Sequence, residues 1–285
     1  MIKQSGLHCF SKRSQQTSWL AVLLPLLVIS HFAAPRATAQ IPTVPKLNDT
    51  GIEKCYDTGA EVPCTPAASD TGTHPRQDGR YGRDKKPGLA KIGGGTKGFD
   101  YTRVCNSGQL AGAGTCPAVP TLGAGFDDWG CTKDNVTNLF WEVKTTAGLR
   151  ASTHTYTWYS TDTAANGGNS GSVGSNTCAA TLPGNLCNTQ AFKAAVNAAT
   201  LCGATDWRLP NRLELTALVD YSKSNVLSPV IDDNYFPNTV ASLYFSSSSQ
   251  AGGSANAWVV NFNVGRGELF AKSNTYSVLL VRGGQ

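Results

Sequence analysis

The stretch that decides the fold reads Asp206-Trp207-Arg208-Leu209-Pro210-Asn211-Arg212-Leu213-Glu214-Leu215. Asn211 is a favoured N-cap residue, and Glu214 stands three positions after it. This spacing is that of a capping box, in which the two side chains satisfy each other's backbone N–H groups. The sequence therefore predicts a helix that begins after Pro210. The apolar positions of this helix share one face and are expected to be buried: Leu215, Leu218 and Val219.

A second helix is predicted just upstream, between two cysteines. Asn188 or Thr189 can cap its start, and Gly203 suits its end because glycine readily takes a positive φ. Apolar residues recur at helical spacing between these ends. They predict a face buried in the core: Phe192, Ala195, Val196, Ala199 and Cys202.

Strand-like segments lie on both sides of the helices. Residues 154–159 alternate with period two, which places His154, Tyr156 and Trp158 on one face of a strand. This face either belongs to the core or stacks on sugars, and the core is the favoured interpretation. Residues 162–175 are rich in Gly, Asn and Ser and predict a loop. Further strands are predicted at 138–143, at 258–262 with Trp258, Val260 and Phe262 alternating, at 268–272 after a turn at 265–267, and at 278–282.

The composition excludes some classes of protein. Hydrophobic residues make up 40% of the 285 residues, which is enough for a core and argues against global disorder. Charged residues make up only 15%, compared with about 25% in typical soluble domains. The formal net charge of +5 falls to +1 when residues 1–39 are left out. This near-neutral balance argues against nucleic-acid binding, which depends on neutralising phosphates.

The N-terminus has the organisation of a secretory signal peptide. A basic segment at residues 3–13 precedes an apolar run over residues 19–32. The run is too short to span about 30 Å of hydrocarbon. The small-residue pattern Ala37-Thr38-Ala39 follows it and predicts cleavage after Ala39. We therefore predict a signal peptide over 1–39, with an uncleaved signal anchor as the alternative, and no membrane-spanning segment after cleavage.

Eight cysteines lie outside this segment, and an even number in an exported chain indicates disulfides. Cys187 and Cys202 flank a predicted helix about 20 Å long, so they cannot pair, because bridged Cα atoms lie within about 7 Å. Among the pairings that stay open, we expect three local bridges and one long-range bridge. They are Cys55–Cys64, Cys105–Cys116, Cys178–Cys187 and Cys131–Cys202.

Residues 40–97 are predicted to form a Gly/Pro-rich, basic extension ahead of the main domain at 98–285. Only Asp78 and Asp84 oppose its cluster of basic residues, which are Arg76, Arg80, Arg83, Lys85, Lys86, Lys91 and Lys97. A solvated segment lying over the core is the favoured interpretation. Contact with an anionic glycan or with the cell envelope is the alternative. The glycine-rich run at 93–98 lacks the spacing of a phosphate-binding loop and predicts an ordinary loop.

The stretch 206–215 resembles the Lcl C-terminal domain family, an exported bacterial module named after a collagen-like adhesin. Other stretches carry the same resemblance, in the family's order, over residues 131–285. They lie at 134–142, 235–239, 244–248, 257–262 and 280–284. The cysteine-containing leader at 49–64 is similar to that of some exported relatives. Each stretch is a weak signal alone, but their combination and order are specific.

The resemblance implies an α+β fold of the C-type-lectin-like kind, with two helices packed on a small, mainly antiparallel sheet. It also implies binding of surface glycans and trimer formation, as in the adhesin. The helix start at 208–214 and the terminal Val281-Arg282 are similar to those of the formylglycine-generating enzyme family, which shares this fold. Two features depart from the family: no Gly-X-Y stalk is present to drive trimerisation, and Phe245 stands where relatives usually carry Trp.

No catalytic residue is assigned, because enzyme signatures are absent from the sequence. Trp207, Arg208 and Glu214 are interpreted as structural, with Arg208 pairing with a carboxylate inside the fold. Arg282 is expected to form a second ion pair that closes the fold.

No metal or other cofactor is assigned either. Only two histidines lie outside the signal peptide and no Cys-x-x-Cys pair occurs, so a zinc site is not expected. Asp232-Asp233-Asn234, and more weakly Asp127-Asp128 with Asp134, offer oxygen atoms of the type that Ca²⁺ prefers. Turns are the favoured interpretation of both clusters.

We expect an exported, non-catalytic recognition module that is secreted, periplasmic or on the bacterial cell surface. Residues 98–285 carry 11 basic and 12 acidic residues, which suits a neutral surface glycan or a protein ligand. The contact surface is predicted on the last strands, where Asn and Ser give adaptable hydrogen bonds and Tyr gives rigid area. It comprises Ser247, Ser248, Gln250, Asn256, Asn261, Asn263, Arg266, Lys272, Asn274 and Tyr276.

Three alternatives to this function stay open. The predicted contact residues can be ordinary solvated surface. The chain can be a structural component of the cell envelope without a specific ligand. An enzyme related to the formylglycine-generating family is the least favoured alternative.

Overall fold

The computed structural model describes three stretches of the chain, residues 48–66, 74–223 and 229–283. The predicted signal peptide at 1–39 lies outside these residues, as does the start of the predicted extension. Within the three stretches, no helix has the length and apolar character needed to cross a membrane.

Short helices and strands are mixed along the chain, which gives the predicted α+β class. The helices are α1 (Asp78–Tyr81), α2 (Thr189–Ala198) and α3 (Arg212–Thr216). The strands are β1 (Cys55–Asp57), β2 (Ala60–Val62), β3 (Tyr101–Cys105), β4 (Trp129–Asp134), β5 (Phe140–Glu142), β6 (Tyr156–Thr157), β7 (Leu243–Ser249), β8 (Asn256–Asn261), β9 (Arg266–Ala271), β10 (Thr275–Tyr276) and β11 (Val281–Arg282).

The strands form small sheets whose pairings are all antiparallel. The largest has the order β11-β5-β4-β3, so the last strand lies beside strands from the middle of the chain. β7, β8 and β9 form a three-stranded meander, and β1-β2 and β6-β10 form two ribbons. Because β5 pairs with β11 and β6 with β10, the end of the chain is tied to its middle in two places.

The buried apolar side chains divide into two clusters. One, here called the disulfide cluster, surrounds four bridged cysteines and consists mainly of Cys131, Cys178, Cys187, Cys202, Tyr156, Trp158, Phe192, Trp207, Phe245 and Val259. The other, here called the aromatic cluster, has no cysteine among its described members, chiefly Phe99, Tyr101, Trp141, Leu215, Ile231, Phe236, Tyr244, Val260, Phe262 and Val281. Each cluster contains closely packed rings, such as Tyr156 on Phe192 at 4.6 Å and Tyr244 against Phe262 at 5.0 Å between centroids.

The predicted alternation of burial in β8 is wrong. Val259 and Val260 are both fully buried, and they belong to different clusters. At Val259 and Val260, β8 therefore packs against a core on each face of the sheet, and a strand segment buried on both faces shows no alternation. The turn after β8 spans 262–265 rather than 265–267.

Both predicted helices form. The Asn188 side chain accepts a hydrogen bond from the N–H of Ala191 at the start of α2. Both halves of the predicted capping box are present at α3, between Asn211 and Glu214. The predicted end of the first helix at Gly203 is wrong, because α2 ends at Ala198 and Thr200 takes a φ of 49°.

A separate 3-10 turn at Leu201–Gly203 follows α2 and carries Cys202. Its position brings Cys202 to Cys131 on β4. The four disulfides are those expected: Cys55–Cys64, Cys105–Cys116, Cys178–Cys187 and Cys131–Cys202. The last one joins residues 71 positions apart, whereas the others close loops of 9 to 11 residues.

The described part of the predicted extension, residues 48–66 and 74–97, contacts the main domain through hydrogen bonds. The N–H of Tyr221 donates to the Thr50 carbonyl at 2.8 Å. The N–H of Thr96 donates to the Asp232 carboxylate at 2.9 Å.

The basic residues of this segment find partners inside the fold. Lys85 and Lys97 both pair with the Glu53 carboxylate, and these two ammonium groups lower the pKa of Glu53, Lys97 most strongly. Arg83 donates to the Gly98 carbonyl. Two of the seven basic residues therefore share one carboxylate within the segment itself, which partly neutralises their charge.

Candidate ligand-binding groove

The ten residues predicted to form one contact surface lie in separate places. Ser247 and Ser248 lie beside the start of α3: the N–H of Ser247 donates to the Pro210 carbonyl at 2.8 Å, and the N–H of Arg212 donates to Ser248 Oγ at 3.1 Å. Gln250 and Asn256 flank the β7–β8 turn.

The amides of Gln250 and Asn256 bond to each other, with Asn256 Nδ2 donating to Gln250 Oε1 at 2.8 Å. This bond fixes the turn at one end of the β7–β9 sheet.

Three other predicted contact residues lie at the opposite end of β8. Asn261 Nδ2 and Arg266 Nε both donate to the Glu268 carboxylate, at 2.9 and 3.0 Å. Asn263 is exposed in the adjoining turn. The Asn261 and Arg266 bonds lower the pKa of Glu268. This end of the hairpin is a self-contained polar network.

Tyr276 is partly buried, and its ring packs against two phenylalanines. The centroid distances are 5.1 Å to Phe245 and 5.3 Å to Phe270. Its hydroxyl accepts a hydrogen bond from Asn274 Nδ2 at 3.0 Å. The Tyr276 ring thus contributes to the core as well as to the surface.

Lys272 is only 1% exposed, so its predicted role as a direct ligand contact is wrong. Its Nζ donates to the carbonyls of Asn166 and Asn169, at 2.7 and 2.8 Å. It also lies 4.0 Å from the centroid of the Trp158 ring. Burial lowers the pKa of this ammonium group. The positive charge of Lys272 is therefore bonded to groups inside the fold and does not face solvent.

The aromatic face formed by β6 and the residues on either side of it belongs to the core, as the sequence analysis favoured. His154, Tyr156 and Trp158 are 7%, 0% and 2% exposed. A sugar ring has no room to stack on this face. Of these three residues, Trp158 lines the groove described next.

A groove of about 560 Å³ opens where the first turn of α2, the start of α3 and the segment after β6 meet. The main domain supplies it with hydrogen-bonding side chains of several kinds. They include Tyr159, Ser160, Asp162, Gln190, Lys193, Arg208, Asn211, Glu214 and Ser247. Two of these side chains are cationic and two are anionic, so the lining is balanced in charge.

The first turn of α2 fixes one side of the groove. Thr189 Oγ1 donates to the carbonyl of Tyr159 and accepts from its N–H, both at 2.9 Å. Gln190 Oε1 accepts from the N–H of Thr161 at 2.8 Å. These bonds hold the chain at 159–161 against the helix start, and they place Tyr159 in the groove wall.

The start of α3 fixes the other side. The Arg208 guanidinium donates to both oxygens of the Glu214 carboxylate, at 2.8 and 2.7 Å. Arg208 also donates to the Gly283 carbonyl at 3.1 Å, and Glu214 accepts from the N–H of Asn211 at 2.8 Å. Bidentate pairs of this kind are geometrically specific. The prediction that Arg208 pairs with a carboxylate inside the fold is confirmed.

Arg282 forms the expected second ion pair. Its Nε donates to the Asp206 carboxylate at 2.7 Å, across 76 positions of sequence. Its guanidinium also lies 4.9 Å from the centroid of the Phe140 ring. The pair connects the last strand to the segment that precedes α3.

The two acidic clusters considered for calcium serve turns. Asp232 accepts from the N–H groups of Thr96 and Asn234, and Asp233 pairs with Lys223 at 3.0 Å, which lowers the pKa of Asp233. Across 48–66, 74–223 and 229–283, no group of three or more His, Cys, Asp or Glu side chains is arranged to hold a metal ion.

The second acidic cluster is arranged in the same way. Asp128 accepts from the N–H of Gly125 at 2.7 Å, and Asp134 accepts from the N–H of Val136 at 2.8 Å. Asp127 accepts from the Thr115 hydroxyl at 2.7 Å. These carboxylates are occupied by neighbouring donors.

Sequence reasoning missed most of the groove. Ser247 is the one groove residue that was also predicted as a ligand contact. Gln190 and Lys193 lie on the polar side of α2, away from the buried Phe192 and Val196, and that polarity is visible in the sequence. Nothing in the sequence shows that this side of α2 meets the start of α3 and the segment after β6.

Comparison with known proteins agrees with the resemblance in the sequence. The family model of the Lcl C-terminal domain matches residues 130–282, which is more than half of the chain. The matched range includes α2, α3 and every residue that lines the groove. No curated protein matches the chain. By the extent of the family match, the chain belongs to the Lcl C-terminal domain family.

Proposed function

We propose that this chain is an exported, non-catalytic recognition module that binds a neutral surface glycan in the groove. Membership of the family supports an exported module, and four disulfides suit an oxidising compartment outside the cytoplasm. Adhesion at the bacterial surface, a C-type-lectin-like fold and trimer formation accompany this proposal on the basis of the family.

The observation that carries the proposal is the lining of the groove. Sugar hydroxyls both donate and accept hydrogen bonds, and amide, carboxylate and guanidinium groups match them with fixed planar geometry. Gln190, Asp162 and the Arg208–Glu214 pair supply such groups. Tyr159 adds an aromatic ring that combines apolar area with a polar tip. The balanced charge of the lining favours an uncharged sugar over an acidic one.

The test is a screen of the exported protein, with its disulfides intact, on a printed glycan array. A Tyr159→Ala/Lys193→Ala variant removes a ring and a charge from the groove. We expect its affinity for the glycans retained by the wild type to fall at least ~10-fold, since interface hot spots lose that much on truncation.

The matched control is Asn263→Ala/Arg266→Ala, which alters two exposed residues at the far end of β8. It should leave binding unchanged. Loss of binding in the control but not in the groove variant would place the site on the strand surface instead. A wild-type protein that binds no glycan on the array would contradict the proposal and favour a protein ligand or a structural envelope component.

A further inference from the structure

The loop at 160–172, which contains most of the predicted Gly/Asn/Ser-rich loop, forms part of the groove wall. Its glycines make the loop entropically costly to order. Gly167, Gly168 and Gly171 have φ values of 64°, 86° and 84°. Glycine loses more conformational freedom on ordering than any other residue. The loop nevertheless contributes Asp162 and Ala165 to the groove. Bonds within the loop, such as that from the N–H of Gly171 to Asn169 Oδ1 at 2.8 Å, and bonds to residues outside it compensate for the entropy lost on ordering it.

The Lys272 side chain supplies two of the bonds from outside the loop. It follows directly after β9, is 1% exposed, and donates from Nζ to the carbonyls of Asn166 and Asn169, at 2.7 and 2.8 Å. These two carbonyls bracket the Gly167-Gly168 turn. The Asn166 side chain is buried as well, and its Oδ1 accepts from the N–H of Gly168 at 2.9 Å. The turn is thereby bonded from inside and from outside the loop.

The same ammonium group contacts the Trp158 ring, 4.0 Å from its centroid. Trp158 lines the groove, and its indole N–H donates to the carbonyl of Ser246 at 2.9 Å. Its backbone N–H donates to the Lys272 carbonyl, and its own carbonyl accepts from the N–H of Ser172, both at 3.0 Å. Lys272 therefore links the groove's buried tryptophan to the loop that forms its wall.

We infer that Lys272 is a positioning residue, which pre-organises the 160–172 loop and Trp158 so that the groove is formed before a glycan arrives. This inference rests on the proposed function. Lysine suits the role because its compact ammonium has three donors and can also face an aromatic ring. A site ordered in advance does not spend binding energy on ordering a loop.

The experiment compares the wild type with Lys272→Met, which keeps the length of the side chain and removes its charge. Lys86→Met, at an exposed position, is the matched control. Hydrogen exchange without glycan should show the amides of 160–172 exchanging at least ~10-fold faster in Lys272→Met, the scale of a lost charge-assisted hydrogen bond. Binding of the neutral glycans that the wild type retains on the printed array should fall at least ~10-fold. The control should change neither measurement.

Unchanged exchange of the loop in Lys272→Met overturns the inference. A loosened loop with unchanged glycan binding also overturns it, because Lys272 would then stabilise the loop without serving the site. If the loop loosens in Lys272→Met but the wild type binds no glycan, the proposed function fails, and the positioning role fails with it. The loosened loop then shows that the error lies in the proposed function and not in the contacts of Lys272.

The wild type alone gives a second measurement should Lys272→Met not fold. The N–H groups of Ser160 and Ser172 are bonded within this region, to the carbonyls of Ser170 and Trp158. Both amides must exchange at least ~100-fold more slowly than in a free peptide, because they open only by local unfolding. Exchange at free-peptide rates would refute a pre-organised loop.

Discussion

The disulfide cluster and the aromatic cluster are both fully buried, but they are held together differently. Cys131–Cys202 and Cys178–Cys187 cross the disulfide cluster, and this cluster supplies Trp158 to the groove. No disulfide joins the described members of the aromatic cluster, which rely on ring packing. Tyr101, for example, packs edge-on to Phe236 with 5.2 Å between the ring centroids. Two of the four described disulfides therefore lie in the cluster that supplies Trp158 to the groove.

The difference teaches how a loop-rich chain can keep a fixed site. Around the groove, β6 has two residues and α3 has five, too few to hold a site by regular structure alone. The Cys178–Cys187 bridge, which ends just before α2, and buried polar bonds, such as that of Lys272 Nζ to the Asn166 carbonyl at 2.7 Å, take the place of long elements there. The aromatic cluster packs on the same two strands as the disulfide cluster, through Tyr244 of β7 and Val260 of β8, and no disulfide joins its described members.

The largest expected effect is the loss of the long-range bridge. A Cys131→Ala/Cys202→Ala variant should lose about 4 kcal/mol of unfolding free energy, because its bridge closes the longest loop. The matched Cys178→Ala/Cys187→Ala variant removes a bridge that closes a loop of nine positions. It should lose about 2.5 kcal/mol of unfolding free energy by the same chain-entropy relation. Urea unfolding under oxidising conditions measures both. Equal losses would show that loop length does not set the contribution of each bridge.

A somewhat smaller effect is expected in the aromatic cluster. Phe262 is fully buried, and Phe262→Ala should cost about 3–4 kcal/mol through lost contacts and a cavity. Combining it with Cys131→Ala/Cys202→Ala tests whether the clusters are independent. Independent sites give losses that add within about 0.5 kcal/mol in urea unfolding. A larger deviation would show that the two clusters form one cooperative core.

The extent to which the sequence predicts this structure differs between backbone and surface. Asn211 and Glu214 predicted the start of α3 correctly, because a capping box depends on residues three positions apart. Local chemistry of this kind can be read directly from the order of residues. The four disulfides also matched expectation, but helix length excluded only the pair Cys187–Cys202 beforehand, and Cys131–Cys202 joins residues 71 positions apart.

The candidate site could not be predicted in the same way, and Lys272 shows why. A lysine after a strand normally lies in solvent, and no local signal shows that two carbonyls more than 100 positions earlier capture it. The groove likewise combines separate segments at 158–165, 189–193 and 208–214. Their meeting depends on tertiary packing, as does the double-sided burial of β8.

The smallest expected effect is a pH dependence of the unfolding free energy, and it tests how well water is excluded around His154. His154 is 7% exposed, and among the described residues its Nδ1 has no hydrogen-bond partner. Burial lowers the pKa of this imidazole. Below the ordinary histidine pKa of about 6.5, the unfolded chain therefore binds a proton that the folded protein does not.

The unfolding free energy should accordingly rise as the pH increases through about 6.5, and it should fall as the pH decreases toward the lowered pKa of the folded state. His154→Gln should flatten this part of the profile, measured by urea unfolding between about pH 5 and 8. Asn263→Gln, at an exposed position that does not titrate, provides the control and should leave the profile unchanged. If the His154 variant keeps the wild-type dependence of unfolding free energy on pH, water reaches this histidine. The packing around it is then looser than its burial indicates.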